Sequence, residues 1–441
     1  MNWKPTKLSE FLTERGGRIK YENANQLGLQ RIKKIDFSGN IHLVAETDTK
    51  TDMIRVKSGD LVISGINAAK GAIAVHAEDD DVLATIHYSA YEFNSDLISV
   101  DFLKWFFKSP EFSDLLRKQI PGGIKTELKP KHILPLQVKL PKLSEQISVA
   151  ERLNRFRVEQ LRLMHEMTHQ QSLLANLKQA ILQEAIRGKL TADWRSEHPD
   201  VEPAGQLLAR IKDDKARLIA AKKIRPEKPL PKITSAEIPF EIPKGWEWCR
   251  FGSYARFERG KFSARPRNDK RFFGGPYPFI QIGSLDSHGT VITEFTQTLN
   301  DAGLGVSKMF EAGTIAVAIV GGTIGNLGVL GRDMCFTDSV VGVRPSKLTC
   351  QEYNLLQMRN KQPEIQSVAY QRAGQPNISL PNLTDILIPL PPLAEQVAIV
   401  ERVEVLMQYC NALATEIEHN RTHADHLLQA VLKEAFAPAS S

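Results

Sequence analysis

The sequence predicts an α+β chain in which two pseudo-symmetric α/β globular units are joined by two long antiparallel coiled-coil helices. Three observations carry that expectation. The stretch from Leu140 to Ile186 recurs from Leu390 to Phe436 without a gap, 250 residues later, with 16 of 47 positions identical. A period of about half the chain indicates duplication of a whole globular-plus-helix unit rather than a solenoid of short repeats. Neither copy contains Gly or Pro from Leu143 to Arg187 or from Leu393 to Ala437, and both are rich in the Leu, Glu, Gln, Arg and Ala that favour helix. Apolar side chains recur in three-four alternation, which is the pattern of a coiled-coil seam.

Taken in order, the first globular unit covers residues 1–142. Short β-type runs at Gln30–Ile35, Asp60–Ser64 and Gly71–Val75 alternate with turn residues. A helix rich in aromatic residues follows from Asp101 to Arg117, interrupted by Pro110, and a strand at Leu136–Leu140 leads into the first long helix, residues 143–187. Its expected seam runs through Leu143, Ile147, Ala150, Leu153, Phe156, Leu161, Met164, Met167, Leu174, Leu177 and Ile181, with a shared polar layer at His169–Ser172 and His419–Thr422. Pro141 and Pro391 precede the two helices and Gly188 stops the first. Residues 188–243 form a charged, Pro-rich connector with one helix at about 203–223, expected to act as an extended tether. The second unit, residues 244–392, repeats the order of the first, and residues 393–437 are the second long helix.

Composition narrows the function classes. A content of 42% apolar residues is ample for cores, and four scattered cysteines without a CxxC pair argue against a disulfide framework or a thiolate zinc site. No stretch reads as a signal peptide or membrane span, so a cytoplasmic chain without membrane association is expected. The net charge of +6 is mild, and the last helix is acidic, with seven acidic and three basic side chains from residue 393 onward.

Two motifs suggest chemistry and neither holds up. His165-Glu166-Met167-Thr168-His169 fits H-E-x-x-H, but it lies mid-helix with Met167 on the apolar stripe, and the second copy has Thr415 where the first has His165. Two solvated histidines account for it better than zinc. Gly321 to Gly328 is a glycine-rich run without the Lys-Ser/Thr of a P-loop, and a turn between strands explains it. No catalytic residue, metal site or cofactor is therefore expected in this chain.

What remains is basic character at similar depth in both units. The candidates for DNA contact are Arg31, Lys33, Lys34 and Lys125 in the first, and Arg256, Arg259, Lys261, Arg265, Arg267, Lys270 and Arg271 in the second. Lysines would neutralise phosphates and some arginines would read guanine edges. A solvated loop face is the plain alternative.

The order of unit, helix carrying LPxLxEQ…ER…LxQAxLxEA, connector ending in Glu241-Ile242-Pro243-Lys244-Gly245-Trp246-Glu247-Trp248, second unit and second helix resembles the specificity subunit of type I restriction-modification enzymes. The resemblance implies a non-catalytic subunit whose two target-recognition domains each read half of an interrupted sequence in double-stranded DNA, the helices setting the spacing. It also implies two adenine-N6 methyltransferase subunits docked on the helices, and translocase and restriction subunits beyond them. S-adenosylmethionine, ATP and magnesium would belong to those partners. The rival reading is a coiled-coil protein-interaction scaffold without sequence-specific DNA binding.

Overall fold

The structure is a computed structural model that describes residues 3–45, 50–119, 127–370 and 376–436. Its contacts divide the chain into two compact units, Met1–Gln171 with Thr415–Ser441, and Ser172–Ala414.

In the first unit the strands are β1 (Lys4–Lys7), β2 (Leu12–Glu14), β3 (Arg18–Ile19), β4 (Arg31–Ile35), β5 (Ile41–Val44), β6 (Met53–Val56), β7 (Leu61–Ser64), β8 (Ile73–Val75), β9 (Val82–Thr85), β10 (Tyr88–Phe93) and β11 (Gln137–Leu140). They form sheets ordered β2-β10-β7-β8 and β3-β6-β9-β4-β5, with β1 paired to β11. Every residue of β7 is buried, as its unbroken apolar run requires. The aromatic helix is two helices, Val100–Lys108 and Pro110–Gln119. Pro110 opens the second helix, where its missing N–H costs nothing. Ser99 caps the first by accepting from the Phe102 amide, and Phe102, Trp105, Phe106 and Phe107 enter the core beside Phe436.

The second unit repeats this pairing. Its strands are β12 (Glu247–Arg250), β13 (Ala255–Arg259), β14 (Phe273–Ile280), β15 (Val291–Ile292), β16 (Gln297–Leu299), β17 (Met309–Phe310), β18 (Ile315–Ala318), β19 (Leu327–Leu330), β20 (Met334–Phe336), β21 (Val340–Pro345) and β22 (Leu387–Leu390). The sheets run β13-β21-β18-β19-β15 and β16-β14-β20-β17, and β12 pairs with β22. The parallel pair β4–β9 has its counterpart in β14–β20, and the antiparallel pair β7–β10 in β18–β21. Gly342 in β21 lies under the stacked rings of Phe310 and Phe336, whose centroids are 3.9 Å apart. A Cβ there would sit 2.7 Å from the Phe310 ring. The glycine-rich run makes the short turn Gly321–Thr323 between β18 and β19.

The duplicated helices span Leu143–Ile186 and Leu393–Phe436, 44 residues each. The structure gives their shared signature a physical meaning. Gln146 accepts from the Ser99 amide at 2.9 Å and donates to the Leu97 and Pro141 carbonyls, both at 3.0 Å. Gln396 does the same to the Cys350 amide and the Pro391 carbonyl, each at 3.0 Å. Each Gln thus ties the start of a long helix to the start of a shorter one in its unit, Val100–Lys108 in the first and Gln351–Tyr370 in the second. The acid before it anchors a tryptophan: Trp3 donates to Glu145 at 3.2 Å, and Trp246 to Glu395 at 2.8 Å. The short Asn2-Trp3-Lys4-Pro5 lead-in therefore supplies the same anchor as the longer lead-in to the second unit.

The seam differs from the expected stripe at several positions. Ala150, Leu153 and Met167 are buried, but Ile147, Leu161 and Leu177 are exposed by 43%, 52% and 47%. Gln160 is buried instead, and its amide donates to the Ala424 carbonyl of the second helix at 3.1 Å. Heptad spacing from Leu153 reaches residues 157, 160, 164 and 167, so Leu161 stands about 100° off the seam despite being apolar. The long helices pair antiparallel within each unit: Gln160 meets Ala424 in the first, and Lys178 meets Asn411 at 2.9 Å in the second. His169 and His419, expected in the polar layer, are exposed.

The connector is not a free tether. A helix at Ala204–Ala220 buries Ala204, Leu207, Leu208 and Ile211 in the core of the second unit. Lys215 donates to the carbonyls of Gly252 and Ala255, and the guanidinium of Arg250 gathers Pro231, Lys232 and Glu237. Arg250 of β12 thus captures two connector carbonyls, and Lys215 of the connector captures two carbonyls just beyond β12.

Candidate nucleic-acid interface

In the second unit the cation-rich segment 256–271 begins on β13 and crosses the loop to β14. Its arginines are held in place. Arg259 donates to the Asp338 carbonyl at 2.6 Å, and Arg267 to the Asp338 carboxylate at 2.7 Å. Arg265 donates to the carbonyls of Phe262 and Ala264 at 3.0 and 2.8 Å. Arg271 grips Asp269 with two nitrogens and pulls that carboxyl below its usual range, yet stays 80% exposed. Arg256 is half-buried on β13, whereas Lys261 and Lys270 are exposed and form no ion pair among the described residues. Positioned arginines beside exposed lysines suit an anionic backbone, because the former fix geometry and the latter supply charge.

Arg267 and Lys270 also line a concave site of about 640 Å³, together with Asn268, Phe273, Gly274, Gln281 and Gln297. Gln281 Nε2 donates to Gln297 Oε1 at 2.8 Å. No carboxylate lines this site, so two cations and three side-chain amides face one opening. Sequence reasoning missed Asn268, Gln281 and Gln297 because it counted charges. Amides at the two strand ends beside a cationic loop were the available signal.

In the first unit Arg31, Lys33 and Lys34 lie on β4, whose register with β5 shifts between Ile32 and Lys34. That bulge leaves Lys33 and Lys34 consecutively exposed while Ile32 and Ile35 stay buried. The turn that follows is built by Asp36, whose carboxylate accepts from the Ser38 and Asn40 amides and from His42 and is held well below the usual carboxylate range by them. Phe37 projects from this turn with 52% exposure, Lys70 over its ring at 5.5 Å. Phe37 and Lys70 were not among the expected residues. Lys125 lies outside the described residues.

The H-E-x-x-H histidines, His165 and His169, are both exposed and Met167 between them is buried. Among the described residues no group of three or more His, Cys, Asp or Glu is placed to hold a metal ion. None of the described helices is long and apolar enough to cross a membrane.

A duplicated α+β chain with exposed cations in both units, and a polar concavity lined by amides in one, has the surface character of a nucleic-acid-binding protein. Residues 243–420 match the type I restriction modification DNA specificity domain. The chain is 26% identical to the Escherichia coli EcoAI specificity subunit over 91% of this chain and 76% of that one. It is 25% identical to the Escherichia coli EcoDI specificity subunit, over 77% and 70%. In fold it is similar to the HsdS subunit from Thermoanaerobacter tengcongensis, with a TM-score of 0.54 at 17% identity, covering 99% of this chain and 96% of that one. A chain from a structure of a type I R-M system scores 0.61 at 16% identity, over 99% and 97%. Residues 243–420 thus match that family domain, and the chain as a whole is similar to specificity subunits of type I restriction-modification enzymes.

Proposed function

We propose that this protein is the non-catalytic subunit that gives a type I restriction-modification complex its DNA sequence specificity, each unit contacting one half of a bipartite target. The observation that carries the reading is the second unit's polar concavity, where anchored Arg267, exposed Lys270 and the Gln281–Gln297 pair face one opening with no acidic side chain. Lysines and arginines at its rim supply the salt-sensitive phosphate contacts, and the amides supply donors and acceptors for base edges. The long helices are the docking platform for two adenine-N6 methyltransferase subunits, with restriction and translocase subunits completing the assembly. S-adenosylmethionine, ATP and magnesium belong to those partners.

The test is binding of the chain, assembled with its methyltransferase subunits, to a pool of duplexes at moderate salt, where non-specific phosphate binding fades. Enrichment of one interrupted motif is the expected result. Equal binding of all duplexes refutes it, and salt-independent partner binding without DNA affinity would establish the scaffold reading instead.

A further inference from the structure

The two units share more than their helices. Asp36-Phe37-Ser38-Gly39-Asn40 and Asp286-Ser287-His288-Gly289-Thr290 stand 250 residues apart, the same offset as the helix repeat. In both, the first carboxylate accepts from the backbone amides two and four residues on. Those distances are 2.9 and 2.9 Å from Ser38 and Asn40, and 2.7 and 3.3 Å from His288 and Thr290. In both, the other oxygen takes the side chain of the fifth residue, Asn40 or Thr290. Gly39 and Gly289 each adopt positive φ, +90° and +69°, and each sits against the first residue of a strand, β8 or β19, and a side chain of the helix that comes later in its unit, Val100–Lys108 or Gln351–Tyr370. The neighbours are Ile73 and Lys104 in one case and Leu327 and Leu355 in the other. The two loops are the same structural device.

The residues leading into that device therefore correspond in sequence position. Arg31-Ile32-Lys33-Lys34-Ile35 corresponds to Gln281-Ile282-Gly283-Ser284-Leu285. The buried members agree in character: Ile35 and Leu285 are each 5% exposed. The outward members differ, and Arg31 corresponds to Gln281. The backbone differs there as well, a strand at Arg31–Ile35 and a 3-10 turn at Ile282–Ser284, so the segment ahead of the shared loop varies between the units in both conformation and side chain.

Resting on the DNA-reading function proposed above, we propose that Gln281 is a specificity-determining residue that reads an adenine in the half-site met by the second unit. A glutamine amide presents its oxygen and one N–H side by side, which matches the N6 donor and N7 acceptor of adenine in the major groove. The second N–H of Gln281 is already given to Gln297 Oε1 at 2.8 Å, so the oxygen and the remaining N–H are left as one donor–acceptor edge. Gln297 thereby orients the amide, and its own NH2 remains for a neighbouring base or phosphate. Arg267 and Lys270 beside it carry backbone charge. Gln281 and Gln297 are both exposed, so neither is needed for the core.

The experiment is selection from a pool of randomised duplexes by the chain assembled with its methyltransferase subunits, comparing wild type with Gln281→Ala, Gln281→Glu and Gln281→Arg. Wild type should enrich an interrupted motif containing an adenine at one position that Gln281→Ala leaves degenerate, with a loss of about 5- to 150-fold in discrimination there and no change elsewhere. Gln281→Glu, of the same size, should shift that position toward cytosine, and Gln281→Arg toward guanine. Retention of the whole wild-type motif by all three variants overturns the role of Gln281 while leaving the specificity function standing. Loss of every position together in variants that melt as wild type also overturns it. A wild-type complex that enriches no motif sinks the specificity function itself.

Discussion

Removal of the Glu395 carboxylate tests how the second unit holds its end of the helix pair. Glu395 is fully buried and accepts from the Thr191 hydroxyl at 2.8 Å, from the Trp246 indole at 2.8 Å and from the guanidinium of Arg195. Thr191 and Arg195 come from the segment after the first long helix, and Trp246 from the lead-in to β12, so one carboxylate joins three parts of the chain. Glu395→Ala leaves an indole N–H and a hydroxyl unsatisfied and a largely buried cation unpaired. Breaking such a pair costs about 3–5 kcal/mol. The duplicate Glu145 provides the internal control. It is half-buried and accepts only the Trp3 indole at 3.2 Å among the described residues, so Glu145→Ala should cost about 1 kcal/mol. Glu395→Gln keeps the shape and loses the charge facing Arg195, an intermediate loss of about 1.5–3 kcal/mol. The assay is urea unfolding of the three variants, with hydrogen exchange to locate the opening at residues 187–197 and around Trp246. A Glu395→Ala loss no larger than that of Glu145→Ala, or exchange rising elsewhere, would refute the reasoning.

Three further outcomes are expected. Phe436→Ala should destabilise the first unit by about 3–5 kcal/mol, because that ring packs edge-on against Phe102 and Phe106 at 5.2 and 5.6 Å; urea unfolding reads it. Glu237, held to about 2 by the Thr234 amide and then Arg250, has an ordinary value of 4.5. Its depressed pKa stabilises the connector fully above about pH 4.5 and less as pH falls toward 2; the urea midpoints of wild type and Glu237→Gln should therefore differ at neutral pH and converge in acid. Lys261→Ala and Lys270→Ala should each weaken binding about equally across DNA sequences and reduce the salt dependence of log K by about one ion. Titration at several salt concentrations checks this, and an unchanged slope places those lysines off the DNA.

The duplicated helices were legible from the sequence because heptad periodicity and the absence of Gly and Pro are local signals. Which residue occupied a seam position was less legible. Leu161 looked right by hydropathy, yet the turn of the helix gives that place to Gln160, and only a carbonyl on the partner helix explains why a buried amide is tolerated there. The connector read as a tether because proline and lysine suggest extension. Its fate was decided by Lys215, Arg250 and four apolar side chains whose partners are distant in sequence. Of the expected DNA contacts, the arginines of segment 256–271 proved to be positioned by Asp338, Asp269 and backbone carbonyls. The amides Gln281 and Gln297 carry only a weak signal, their place at strand ends beside a cationic loop, which a count of charges passes over.

The two copies within one chain separate scaffold from reading surface. Both keep the Gln that ties helix to helix, the Glu that anchors a tryptophan, and the aspartate-built loop with its left-handed glycine. Each of these is tied to backbone groups or buried rings, so a substitution leaves a partner unsatisfied and the fold resists it. The outward positions just ahead of the loop carry Arg31, Lys33 and Lys34 in one unit and Gln281, Gly283 and Ser284 in the other. Exposed side chains such as Lys33, Lys34, Gln281 and Ser284 cost the fold little to exchange, and under the proposed function each exchange would alter which base edge can be paired. The proposed reading of two unlike half-sites calls for that combination: one scaffold built twice, with variation concentrated where it least disturbs the shared contacts.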